Sequence, residues 1–172
     1  SCETQLLGMI LERIYDKPLS ELASERIWKP IGAEHPAKWS IDRPDGIEKA
    51  FCCFNSNVRD FARLGKLVLQ QGRWDTQQLV PGAYIAEATR PAKWLKNDKG
   101  KPLNFYGYQF WIAHYKGLTI PYFRGILGQF IFVIPEKNAV VVRLGEYVSK
   151  NRKDYTPTDI FTYLDAALEI IK

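Results

Sequence analysis

The chain has no uninterrupted apolar run near the ~20 residues that a membrane-spanning helix requires, and Phe130–Ile134 is representative of the longest. A membrane span is therefore not expected. Cysteine is scarce: there are three, an odd number, and Cys52 and Cys53 are adjacent. That spacing matches no zinc-ligand pattern and makes a mutual disulfide strained, so buried free thiols are expected. There is no internal repeat, no low-complexity tract, and neither an initiator methionine nor a signal peptide at the start. A helix-like pattern begins within a few residues of Ser1, so we expect a cut made inside a larger protein.

Charge of one sign is also missing as a block. Lys and Arg number 24 against 19 Asp and Glu, giving a net charge of +5, but the two signs are interleaved. The denser basic stretches, Lys93–Lys101 and Lys150–Lys153, are short and loop-like. No aromatic-basic repeat or groove-reading motif accompanies them, so no nucleic-acid partner is expected.

What is present is enough for a folded core: 172 residues, 46% of them apolar and 13% aromatic. Leu6, Leu7, Ile10, Leu11 and Ile14 recur at helical spacing and predict an amphipathic helix from Gln5 to Tyr15. Pro18 suits the start of a second helix ending near Trp28. Residues 32–54 lack periodicity and predict a long ordered excursion anchored by Trp39 and Phe51. Asn55 or Ser56 can cap a helix that carries Val58, Phe61, Leu64 and Val68 to about Gln70, where Gly72 ends it. A shorter helix follows Pro81.

After a Lys- and Gly-rich linker the composition turns aromatic and β-branched. Strands are predicted over Tyr106–Tyr115, Leu118–Phe123, Leu127–Ile134 and Ala139–Leu144. The turn Pro135–Asn138 implies a hairpin and antiparallel pairing. Thr156 and Pro157 are predicted to open a closing helix with Ile160, Phe161, Leu164, Leu168 and Ile171 on one face. The fold class is α+β, with a helical part over residues 1–92, a linker over 93–104, and a sheet plus C-terminal helix over 105–172, all in one domain.

Several strings, taken in order, resemble one family. They are Gln5-Leu6-Leu7-Gly8-Met9-Ile10-Leu11-Glu12, Trp28-Lys29-Pro30-Ile31-Gly32-Ala33-Glu34, Arg59-Asp60-Phe61-Ala62-Arg63-Leu64-Gly65, Tyr106-Gly107-Tyr108-Gln109-Phe110-Trp111 and Gly125-Ile126-Leu127-Gly128-Gln129. Together they are similar to the β-lactamase-related serine hydrolases, which include class C β-lactamases, penicillin-binding-protein-like esterases and amidases, and 6-aminohexanoate-dimer hydrolases. The resemblance implies the C-terminal portion of a β-lactamase/transpeptidase-like fold: an antiparallel sheet flanked by helices, with a closing helix.

It also implies a chemistry. Such enzymes use a Ser-x-x-Lys pair, a Tyr-x-Asn or Tyr-x-Ser motif, and a strand resembling Lys-Thr-Gly or His-x-Gly. Serine and lysine three apart share a helix face, so the amine can take the hydroxyl proton as the serine attacks an acyl carbon. The tyrosine assists proton transfer, and the strand lends a backbone N–H to the oxyanion.

This sequence has no Ser-x-x-Lys, since Ser1, Ser20, Ser24, Ser40, Ser56 and Ser149 are followed at the third position by Thr, Ala, Ile, Arg, Arg and Arg. The resemblance assigns Ser1 the third position of Tyr-x-Ser and gives Ile126 the role of backbone oxyanion donor. Read without it, Ser1 is a frayed terminus or a helix cap, and Gly125–Gln129 is a strand whose glycines are covered by an aromatic neighbour such as Phe123 or Phe130. Gly125, Leu127, Gly128, Gln129, Trp39 and Tyr108 are the expected substrate-binding residues, with Tyr106 and Trp111 as further aromatics of an acyl pocket. Leu127 stands where dimer-hydrolase-like members often carry histidine, and the missing lysine of Lys-Thr-Gly argues against binding a penicillin carboxylate.

Two histidines remain. His114 reads as a sheet-face or core residue without a partner carboxylate, and His35 lies in a loop. Arg59, Asp60 and Arg63 are expected to form structural ion pairs that position the sheet.

The expected activity is hydrolysis of a small ester or amide through an acyl-enzyme, with no cofactor and no metal, and with the nucleophile supplied from outside these residues. The alternative is a non-catalytic binding or scaffold protein that keeps the fold. Ala139–Leu144 is expected to leave a free sheet edge for a preceding segment or a partner chain. A periplasmic or secreted location would fit the family.

Overall fold

The computed structural model describes residues 2–153 and 155–171. They form two compact units that divide between Arg63 and Leu64.

The first unit opens with α1 (Cys2–Tyr15), which follows the predicted periodicity. Its apolar face is nevertheless open: Leu6 and Ile14 are 58% and 67% exposed. The buried position is Gly8, where an added Cβ would stand 2.7 Å from that of Ala50, so the glycine sets how closely that loop approaches. Pro18 precedes the short α2 (Leu19–Ala23), which runs on as a π-helical turn over Ser24–Trp28. Two orphan amides at the start of α2 are met by carboxylates, Leu19 N–H by Glu12 and Ser20 N–H by Glu48.

The excursion over residues 32–54 is ordered by pairing of β1 (Lys38–Trp39) with β2 (Phe54–Asn55). Phe54 packs edge-on against Trp28 and Trp39 at 5.2 Å each. Trp39 anchors the loop as predicted, its indole bonded to the Lys49 and Cys52 carbonyls, whereas Phe51, the other expected anchor, is exposed. The cysteine expectation is corrected: Cys52 and Cys53 are joined in a disulfide, and the free thiol, Cys2, is exposed.

Helix α3 (Val58–Leu69) is capped not by Asn55 or Ser56, as expected, but by Asn57, whose Oδ1 accepts the Asp60 N–H at 2.9 Å, while the Asn55 amide is spent on the Cys53 carbonyl. Asp60 is fully buried and accepts the backbone N–H groups of Glu34 and His35. Its ion pair with Arg63, which also reaches Glu34, therefore holds the residue 34–35 loop.

In the second unit, Gly72 (φ +77°) ends α3 and leads into the small hairpin β3 (Arg73–Trp74) and β4 (Gln77–Gln78), then α4 (Gly82–Ala88). The main sheet is a four-stranded antiparallel meander of β5 (Trp111–Tyr115), β6 (Leu118–Arg124), β7 (Phe130–Ile134) and β8 (Ala139–Arg143). The first strand begins at Trp111, not Tyr106, because Tyr106 makes only an isolated bridge to Trp111. Pro135–Asn138 turns the last hairpin as predicted, with Asn138 left-handed at φ +48°.

Alternation along β7 decides both faces. Phe130, Phe132 and Ile134 join Ala113, Ile120 and Tyr122 against Ile160 and Leu164 of α5 (Asp159–Ile170). Val133 points the other way, toward Val68 and Ile85. Ile131 lies on that same side, where a Cβ on Gly65 would stand 2.8 Å from it and 2.5 Å from Val140. Each such aromatic or branched side chain contributes about 2 kcal/mol of burial, so this sandwich carries the unit. Before α5, β9 (Arg152–Lys153) pairs with β10 (Thr156–Pro157). Thr156 and Pro157 thus end a hairpin instead of opening the helix, since their backbones pair across the reversal that includes Tyr155 at φ +67°. Among the described residues, no helix is long and apolar enough to cross a membrane.

Candidate active site

The segment Gly125–Gln129, expected as strand, is the closed turn that joins β6 to β7. Gly125 N–H donates to the Gln129 carbonyl at 2.8 Å, and Gly128 takes the left-handed backbone at φ +85°. A strand is excluded because the turn is captured from inside by a side chain. The Oε1 of Gln129 accepts the Leu127 N–H at 3.1 Å, and its Nε2 donates to the Gly145 carbonyl at 2.5 Å.

A second tie comes from Arg143, at the end of β8. Its Nη1 donates to the Gly128 carbonyl and to that of Tyr147, the latter at 2.8 Å, while the guanidinium lies 4.7 Å over the Tyr163 ring. These ties need glycine: a Cβ on Gly128 would stand 2.1 Å from the Tyr147 carbonyl oxygen, and one on Gly125 would stand 2.4 Å from Gln129 Oε1.

The consequence is a sorted set of amides. The N–H groups of Gly125 and Leu127 are bonded within the turn, and that of Gly128 lies 3.4 Å from the Gly125 carbonyl. The N–H groups of Ile126 and Gln129 donate to no described group; Ile126 is 86% exposed, whereas Gln129 is partly buried with its side chain bonded inward. Leu127 is half-exposed beside it. Across three strands Arg124, Phe130 and Arg143 lie in register, which sets a guanidinium on either side of β7 at the level of the turn. Arg124 lies 4.5 Å over the Trp111 ring and donates to the Tyr155 carbonyl at 3.3 Å. Burial lowers the Arg124 pKa and raises that of the Tyr122 phenol beneath it. Among the described residues the turn offers an exposed residue, Ile126, with an unbonded N–H and two guanidinium groups on the neighbouring strands, the kind of donor that developing negative charge on an acyl oxygen requires.

The other predicted residues fall elsewhere. Gln129 spends both ends of its amide inside the chain, so it shapes the turn. Tyr108 stacks on Trp94 at 5.5 Å and donates to Glu87 at 3.3 Å, while Tyr84 lies 6.4 Å away. Trp39 belongs to the first unit, where its indole donates to the carbonyls of Lys49 and Cys52. Ser1 lies outside the described residues. Tyr106 is half-buried, and burial raises its pKa. His114 is exposed, with Nε2 3.0 Å from the Asn104 carbonyl, and His35 Nδ1 is 3.1 Å from Asn57 Nδ2. A cavity of about 540 Å³ is lined by Lys93, Lys101, Asn104, Phe105 and Tyr155 among others, and by none of the predicted site residues. Among the described residues, no three His, Cys, Asp or Glu side chains are grouped to hold a metal.

The sequence reading missed Arg143. The available signal was the Arg143-Leu144-Gly145 string after a β-branched strand: a Cβ on Gly145 would stand 2.4 Å from the Arg143 guanidinium carbon.

An antiparallel sheet packed between helices, with a glycine turn presenting a backbone donor, is a β-lactamase-like α+β fold. The chain belongs to the β-lactamase family, whose model matches residues 1–159. It is also similar to a solved structure from Bacillus anthracis described as a 6-aminohexanoate-dimer hydrolase, with 29% identity and a TM-score of 0.76. That match covers 96% of this chain and 41% of the other, so the chain spans about two fifths of that relative's length. No curated protein matches the chain.

Proposed function

We propose that the chain forms one wall of a serine acyl-transfer site, hydrolysing a small ester or amide with the Ile126 N–H as oxyanion donor. The observation that supports this reading is the Gly125–Gln129 turn, in which the N–H of Ile126, an 86% exposed residue, donates to no described group, while Gln129, whose N–H likewise lacks one, is turned inward by its side-chain bonds. A turn built only for reversal has no need of two side-chain staples and two crowded glycines around an open donor. The similar Bacillus anthracis protein is described as acting on a 6-aminohexanoate dimer, and such a dimer is held by an amide, which favours a linear amide substrate.

In the proposed reaction a serine outside these residues attacks the acyl carbon, and the carbonyl oxygen takes negative charge as the tetrahedral intermediate forms. The Ile126 N–H bonds that oxygen, and the positive charge of Arg124 and Arg143 on the neighbouring strands favours negative charge on it. A backbone donor held before substrate arrives costs no reorganisation during the step. Ser1 would stand third in a Tyr-x-Ser motif, its hydroxyl bonding a substrate carbonyl or the lysine partner of the nucleophile.

A non-catalytic scaffold is favoured by one observation, the lack of any Ser-x-x-Lys within the 172 residues. Fluorophosphonate labelling separates the two readings. This chain alone is expected to remain unlabelled, and the longer polypeptide to be labelled on a serine that precedes Ser1; an unlabelled longer polypeptide would leave the scaffold.

A further inference from the structure

The first unit holds a chemical feature that the acyl-transfer reading does not use. Cys52 and Cys53, neighbours in the chain, are joined through their sulfurs, with Cys53 exposed and Cys52 half-buried. We propose that this pair is a reversible dithiol–disulfide site whose closed ring holds the Trp39 loop, and that a dithiol reductant opens it.

The loop's hydrogen bonds converge on the two cysteines. The Cys52 carbonyl accepts the Trp39 indole N–H at 2.9 Å, and the Cys53 carbonyl accepts the Ser40 N–H at 3.1 Å. Asn55 Nδ2 donates to the same Cys53 carbonyl at 2.9 Å, and Cys52 N–H donates to Lys49 at 3.0 Å. Moving the peptide between residues 52 and 53 therefore moves the supports of β1. That peptide sits where an ordinary side chain disfavours it: Cys53 has φ +69°, a region that suits glycine. The bond to the Cys52 side chain joins the two residues into one ring and keeps Cys53 from turning back. Once the ring opens, the covalent hold on this positive φ is gone, and the hydrogen bonds to the Cys53 carbonyl remain against its tendency to turn back.

Exposure makes the Cys53 sulfur reachable. A thiolate of the dithiol attacks Cys53 Sγ, the protein S–S bond breaks, and Cys52 leaves as a thiolate that takes up a proton. The reagent's second thiolate then attacks its own sulfur in the mixed disulfide, releasing the Cys53 thiolate and closing the reagent's disulfide. Two electrons and two protons pass from the dithiol to the cysteine pair. A monothiol is reversed at the first stage, because the Cys52 thiolate is adjacent and attacks again. Reduction lets Cys53 relax to negative φ, and the Trp39 indole loses an acceptor.

The test uses this chain as it stands and is independent of the hydrolase reading. Thiol titration of the folded, air-exposed chain should count one reactive thiol, that of Cys2, and three after a dithiol is added and removed. Reduction should shift the tryptophan emission and speed amide exchange at Ser40 about tenfold, and W39F should abolish the emission change. A C52S/C53G variant, with glycine suited to the positive φ, should keep the slow exchange and ignore dithiols. A C52S/C53S variant should exchange like the reduced chain. Three reactive thiols before reduction, or a C52S/C53S variant that exchanges as slowly as the oxidised chain, would overturn the proposal.

Discussion

The Gln129 side-chain amide donates to the Gly145 carbonyl at 2.5 Å while its oxygen accepts the Leu127 N–H at 3.1 Å. One side chain thus closes the turn from inside and fastens it to the segment that follows β8. Arg143 repeats the fastening through the Gly128 carbonyl.

Removing either staple should loosen the donor without unfolding the sheet. Gln129→Ala is expected to cost about 1 kcal/mol and to speed amide exchange at Leu127. Arg143→Ala should cost somewhat more, and Arg143→Lys should not restore it, because one ammonium on a flexible stem does not reproduce the planar guanidinium that bonds two carbonyls and lies over the Tyr163 ring. Chemical unfolding and residue-resolved exchange check both.

Gly128 and Gly100 both have positive φ, at +85° and +74°, but only Gly128 is crowded. Gly100→Ala should cost about 1 kcal/mol, the backbone term alone. Gly128→Ala should cost about 3 kcal/mol, since the new Cβ meets the Tyr147 carbonyl and Arg143 Nη1. Equal losses in thermal unfolding would show that the turn yields freely.

Asp60 gives a pH dependence with a definite sign. Burial works against its charge, but the N–H groups of Glu34, Asn57 and His35, with Arg63, hold its carboxyl below the usual carboxylate range. The unfolded chain therefore binds more protons than the folded one as pH falls through about 4, and stability drops there. It should be complete above that range and decline toward the lower folded value. Asp60→Asn should flatten this part of the profile and cost about 3 kcal/mol at neutral pH, because the buried donors and Arg63 lose their anion. Urea unfolding across pH 2–7 reads both effects.

The open face of α1, with Leu6 and Ile14 both more than half exposed, should make the isolated chain self-associate as concentration rises. Leu6→Gln together with Ile14→Gln should lower the sedimentation coefficient and leave the unfolding temperature within a few degrees. Unchanged sedimentation would mean that this face is not adhesive.

Much of the architecture was legible because it rests on local signals. The helical spacing in α1, the apolar stripe of α3 and the Pro135–Asn138 turn each act within a few residues, although the cap of α3 is Asn57 and not the expected Asn55 or Ser56. The Gly125–Gln129 turn was not, because residues flanked by β-branched and aromatic neighbours are diverted from strand by Gln129 and by Arg143, more than ten positions away. The family resemblance pointed to Ile126, and the hydrogen-bond partners leave its N–H, together with that of Gln129, without an acceptor among the described residues. Periodicity found the apolar face of α1 but carries no information on what covers it. Adjacent cysteines were read by the geometry of ordinary disulfides, which omits a left-handed backbone at Cys53.

The most direct measurement is the Ile126 amide resonance in the longer polypeptide before and after a fluorophosphonate phosphonylates its serine, with fluoride leaving. A labelled serine, with the Ile126 amide proton moving downfield well beyond its neighbours, is the outcome predicted for an oxyanion donor. A phosphonylated protein whose Ile126 resonance stays in place would contradict it.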